Sequence, residues 1–231
     1  MPTDMSSQNP IIGTLNEGDL HSSLKNHFSL PNDKFEFPIE SYVIDIYRST
    51  NEGVLLIEIQ TSSFASMRKK LTNLLDDYRI RVVFPIAKEI VLVKPGHKER
   101  KSPKKETMYS IFQELVSIPD LLTHENLSFD LVEVSVKKIK EYDPQIRRRR
   151  GGYRTVETVL SSIHAIRHFA EISDFMQLIP TGLPPVFTTA DISKKAGITR
   201  TEAQQMAYCF RHAGTFLQVG NSKVGKEYEM A

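Results

Sequence analysis

The chain has 231 residues, 40% hydrophobic and 25% charged, with one cysteine. That composition belongs to a folded globular protein and excludes disordered, collagen-like and disulfide-framed classes. No apolar stretch approaches the roughly 20 residues of a membrane helix, and the polar start, Met1 to Pro10, lacks the pattern of a secretory leader. A cytoplasmic protein that does not engage a membrane is expected.

In chain order, residues 1–10 read as a loose tail. Asn16 suits the N-cap of a helix with Leu20, Leu24 and Phe28 on one face and Pro31 past its end. Lys34 to Glu40 alternates, placing Phe35, Phe37 and Ile39 on one side of a strand. Tyr42 to Tyr47 and Val54 to Thr61 are β-rich, with a turn at Asn51-Glu52-Gly53. Ser62 or Ser63 can cap a helix in which Phe64, Met67, Leu71, Leu74 and Leu75 recur at helical spacing. A strand over Ile80 to Val93, interrupted near Pro85, a helix around Met108 to Val116 and a strand over Phe129 to Val136 follow. Helices set between strands predict an α/β sandwich.

Asp143-Pro144, an arginine run and Gly151-Gly152 mark a boundary. The expected division is a first domain over 11–142, a basic linker over 143–152 and a second domain over 153–231. From Arg154, Val156, Val159, Leu160, Ile163, Ile166 and Ala170 predict an amphipathic helix reaching about Ile179. Thr188 opens a short helix that ends at Gly197, and Thr199 with Glu202 forms a capping box for another. Ala203, Met206, Ala207 and Phe210 face inward there, and two short strands about Gly220-Asn221 close the chain.

Net charge is only +2, but residues 94–106 carry +4 and residues 137–154 carry +6. Such islands suit a polyanionic partner, because clustered Lys and Arg displace the counterions held by phosphates. Strand parity puts Asp45, Glu58 and Gln60 on one face of two apolar strands, opposite Ile44 and Ile46 in the first of them. Two carboxylates brought together there repel each other, and a divalent cation such as Mg²⁺ relieves that cost with oxygen ligands. No phosphate-cradling glycine loop is present, and the histidines have no metal-ligand spacing with a cysteine. His164 and His168 stand four apart on the predicted helix without the acid of a zinc motif, and Cys209 reads as core.

The order helix, strand with Asp45, turn, strand with Glu58-Ile59-Gln60, then helix resembles the PD-(D/E)XK nuclease superfamily, of restriction-endonuclease-like fold. The resemblance covers about Glu17 to Val93 and implies an Mg²⁺- or Mn²⁺-dependent DNA endonuclease. It implies metal ligation at Asp45, Glu58 and Ile59, and a further acid at Glu17. The family's usual lysine is replaced by Gln60, and its usual proline before the aspartate by Ile44. Lys69 or Lys70, on the following helix, can supply the missing cation.

The region from about Val186 to Met230 resembles a winged helix-turn-helix, which implies DNA as partner. Arg200, Thr201, Gln204, Gln205, Tyr208 and Arg211 are its outward candidates, with Lys223 and Lys226 near the wing tip. Arg147, Arg148, Arg149 and Arg150 supply backbone contacts. A non-catalytic DNA-binding regulator and a partner-activated subunit of a larger complex fit the same residues, and double-strand cleavage would call for a homodimer or two binding events.

Overall fold

The computed structural model describes residues 18–145, 152–223 and 225–231. Glu17 and Arg147 to Arg150 lie outside them. Helix α1 (Asp19–Phe28) takes Gly18 as its N-cap, with Asp19 as the acid of its first turn. Three antiparallel strands follow, β1 (Lys34–Ile39), β2 (Tyr42–Thr50) and β3 (Gly53–Ile59). A 3₁₀ turn capped by Ser63 and helix α2 (Arg68–Leu74) then carry the chain to β4 (Arg79–Val93), parallel to β3. This is the crossover that parallel pairing requires.

Beyond β4 come a two-residue strand, β5 (Arg100–Lys101), a short helix, α3 (Phe112–Leu115), and β6 (Leu127–Tyr142), again parallel to β4. The expected interruption at Pro85 does not occur. Gln60 N–H donates to Val83 O at 2.9 Å just as β3 ends. Two residues on, Pro85 turns its nitrogen to the same side, where no strand remains to ask for an N–H.

The predicted helix from Arg154 is instead a strand, β7 (Tyr153–Phe169), paired antiparallel with β6 from Tyr142↔Tyr153 to Phe129↔Phe169. Its apolar positions fit a helical period. However, Thr155, Val156, Thr158, Val159, Ile163 and Ile166 are β-branched and favour extended backbone, and β6 offers a full-length ladder. Residues 143–152 therefore join two strands of one sheet, and the first domain ends after Phe169. The result is a mixed α/β fold around a large mixed sheet in the order β1-β2-β3-β4-β6-β7, with β5 on β4.

On one sheet face α1 inserts Leu24 among Ile46, Ile57, Val83 and Val132. The other face packs Leu56, Val82, Phe129 and Leu131 against α2, α3 and the C-terminal unit. That unit contains α4 (Ile172–Met176), β8 (Phe187–Thr188), α5 (Thr189–Ala196), α6 (Arg200–His212), β9 (Phe216–Ser222) and β10 (Gly225–Met230). The expected capping box forms at Thr199/Glu202, and a second, not expected, forms at Thr188/Asp191. Gly197 has φ +66°, the left-handed conformation that lets α5 turn sharply into α6. Phe112 meets Phe210 with ring centroids 5.4 Å apart, so the unit is docked on the sheet domain through one continuous core. Among the described residues no helix is long and apolar enough to cross a membrane.

Candidate active site

Strand parity breaks at the site itself. Glu36 has φ +47°, uncommon for a non-glycine residue, and stands between the pairs Phe35↔Ile46 and Phe37↔Ile44, opposite Asp45. Phe35 and Ile46 consequently turn towards α1, whereas Phe37, Ile39 and Ile44 turn towards α2. The expected sharing of one face by Phe35, Phe37 and Ile39, and by Ile44 and Ile46, is thus overturned. Lys25 of α1 donates to Glu36 Oε1 and holds the kink from above.

The β2–β3 ladder stops at Ile46↔Ile57, and the two strands part at Asp45 and Glu58. Ile59 N–H donates to Asp45 Oδ2 at 2.7 Å, and His21 Nε2 lies 3.3 Å from the same oxygen. Glu58 is 7% exposed. Lys70 Nζ reaches it from α2, donating to Glu58 Oε2 at 2.8 Å and to Val43 O at 2.9 Å. Glu58 Oε1 is buried and has no hydrogen-bond partner among the described residues, an orphaned acceptor of the kind that native interiors rarely leave.

The two acids are driven apart in affinity for protons. Burial works to raise Asp45, but hydrogen bonds from His21 and Ile59 and the charges of His21 and Lys25 hold it below the usual carboxylate range. For Glu58, burial and then the Asp45 charge prevail over Lys70 and the Asp45 N–H, pushing it up to about 7. Among the described residues no group of three or more His, Cys, Asp or Glu side chains could hold a metal ion. Two coupled carboxylates, one with an unclaimed oxygen, nevertheless suit a hard cation that completes its shell with water and phosphate.

Of the expected site residues, Asp45, Glu58 and Lys70 come together. Gln60 does not join them, because its Nε2 donates to Ser63 O at 2.8 Å and Ser66 Oγ at 3.0 Å. Lys69 is exposed. Ile59 contributes its backbone, while its side chain is core. The sequence reading missed His21, whose only signal is a place one turn before Lys25 on a helix otherwise judged by its apolar face. His164 and His168 lie on β7 rather than a helix, bonded to Ser135 Oγ at 2.7 Å and Asp130 Oδ1 at 2.6 Å.

In the C-terminal unit, Arg200, Gln204, Tyr208, Arg211 and Lys226 line one groove of about 380 Å³ between α6 and β10, with Tyr228 at its base. Arg211 lies 5.9 Å from the Tyr208 ring. Thr201 and Lys223 are exposed and Gln205 half-buried, all outside that groove. Cys209 is buried, and burial pushes its thiol up to about 12, so it is core and not nucleophile.

Fold and site together define a mixed α/β domain with an acid–acid–lysine cluster where two strands part, followed by a helix–turn–helix–hairpin unit. A family described as a domain of unknown function, DUF8091, matches residues 18–170, and the chain belongs to it. The match closes with the end of β7, in agreement with the domain boundary that the sheet sets. An uncharacterized protein of Treponema pallidum (strain Nichols) is 29% identical over 188 residues, covering 79% of this chain and 74% of its own. No solved structure matches the chain.

Proposed function

We propose that the chain is a metal-dependent DNA endonuclease of the PD-(D/E)XK type, with a winged-helix reader at its C-terminal end. The observation that carries the reading is the convergence of Asp45, Glu58 and Lys70 where β2 and β3 part. Lys70 answers the objection raised by Gln60, since it brings from α2 the ammonium that the Glu-x-Gln strand lacks. Mg²⁺ or Mn²⁺ would be held by Asp45 and Glu58, with the Ile59 carbonyl as a further oxygen. Such an ion polarises a phosphoryl oxygen and makes water more acidic. Lys70, 2.8 Å from Glu58, would orient the attacking water and offset charge gathering on the phosphate oxygens. Three cations in the α6–β10 groove support DNA as the bound polymer.

A second reading, a DNA-binding or partner-activated subunit, draws support from Gln60, whose amide is committed to the turn at Ser63 and Ser66. Supercoiled plasmid, branched DNA and single-stranded DNA incubated with Mg²⁺, Mn²⁺ or EDTA separate the two. Metal-dependent cutting that disappears in both Asp45→Ala and Glu58→Ala supports the nuclease. Salt-sensitive binding by wild type with no cutting would favour the second reading.

A further inference from the structure

We infer that the outer end of the β4–β6–β7 arm binds single-stranded DNA, by stacking an unpaired base on Tyr142. The inference narrows the substrate of the proposed nuclease, and its link to cleavage rests on that reading. β3 ends level with Val83 of β4 and Asp130 of β6. β4 then continues to Val93 and β6 to Tyr142, with β7 returning beside it. At about 3.3 Å per residue, this makes an arm of three long strands, edged by the two-residue β5, on the order of 30 Å long beyond the end of β3. From Lys137 outward no residue of β6 is buried.

The arm brings the basic loop after β4 against the lysines at the outer end of β6. Val93 pairs with Ile139, and Lys137 bonds Glu99 Oε1 at 3.0 Å, so the loop after β4 lies against the outer end of β6. Lys94, Lys138 and Lys140 have no carboxylate partner among the described residues.

At the end of the arm Tyr142 is 67% exposed, yet its ring is held in place. It meets Tyr153 edge-on, with centroids 5.8 Å apart at 77°, and Lys94 Nζ lies 4.1 Å from the Tyr153 ring centre. Gly152, at φ +69°, lies beneath: a Cβ there would come within 2.8 Å of the Tyr142 ring. A fixed, exposed aromatic ring on an arm that carries Lys94, Lys138 and Lys140 suits a base with its phosphates better than an apolar protein surface. A duplex keeps its bases stacked on one another, so an open ring face is of use to unpaired ones.

The test is fluorescence anisotropy of the full chain in EDTA, with a labelled oligothymidylate and a duplex of equal length. Tyr142→Ala should weaken single-strand binding about ten-fold, and Tyr142→Phe by less than about two-fold, with duplex affinity unchanged. Equal single-strand binding by Tyr142→Ala and wild type would overturn the inference. So would a Phe variant as weak as the Ala variant, or a wild type that binds duplex alone. Cleavage of forked DNA with Mg²⁺ by the same preparations tells the two failures apart. No cutting by wild type, with Tyr142 still required for single strands, removes the nuclease and keeps the arm.

Discussion

Lys70 donates to Glu58 at 2.8 Å from the neighbouring helix, while the amide of Gln60, two residues along the same strand, is turned into the Ser63–Ser66 turn. The cation of the site thus comes from α2 and not from β3. Helix phase decides which lysine serves, since Leu71 and Leu74 are buried and Lys69 points to solvent. Lys70→Ala should lower single-turnover cleavage by about 10²-fold or more, the usual loss for a positioned charged group, with Lys69→Ala near wild type. Equal effects of the two changes would remove Lys70 from the site.

Glu58 gives the metal-free protein a pH-dependent stability. Its carboxyl rises from 4.5 to about 7 on folding, so the folded state binds the proton more tightly than the unfolded one. The contribution is complete below pH 4.5 and is lost as pH climbs through 7, with an amplitude on the order of 3 kcal/mol. Urea midpoints in EDTA should decline more steeply for wild type than for Glu58→Gln between about pH 5 and 8. A wild-type-minus-variant difference that stays flat over that window would show that Glu58 is not raised. Mg²⁺ should flatten the wild-type slope, because a cation favours the ionised carboxylate.

Most elements were legible because their signals are local. The alternation of β3, the capping box of α6, the glycine stop of α5 and the buried stripe of α2 all lie within a few neighbouring residues. β7 was not: its apolar spacing satisfies a helix, and only pairing with distant β6 decides for a strand. Asp45, Glu58 and Lys70 could be named from sequence, but their geometry could not. A left-handed backbone at Glu36 reverses strand parity there, and His21 arrives by the packing of α1.

The mount of α1 rests on Arg48. Its Nε and Nη2 donate to Asp33 at 2.9 and 2.7 Å, and Nη2 also reaches Phe28 O at 2.6 Å, at the end of the helix that carries His21. The Asp33 side chain is only 2% exposed. Against the cost of burial, the bonds from Arg48 and Leu30 hold it below the usual carboxylate range. Arg48→Met leaves that charge buried and unpaired, so urea denaturation near neutral pH should show a loss of about 3 kcal/mol. Asp33→Asn in the same background should recover part of it. A single variant as stable as wild type would mean that the pair does not anchor α1.

The C-terminal groove makes a different kind of prediction, read in salt dependence. Arg200, Arg211 and Lys226 converge between α6 and β10, and in the proposed reader each neutralises a phosphate. Replacing any one by alanine should weaken duplex binding across all sequences and reduce the slope of log K against log salt by about 0.9. Gln204→Ala should leave the slope alone and relax preference at one base position, since an amide reads a base edge and releases no counterion. Lys223→Ala, exposed but outside the groove, serves as the comparison. If Lys223 changes the slope and the groove cations do not, duplex DNA contacts the wing tip without entering the groove.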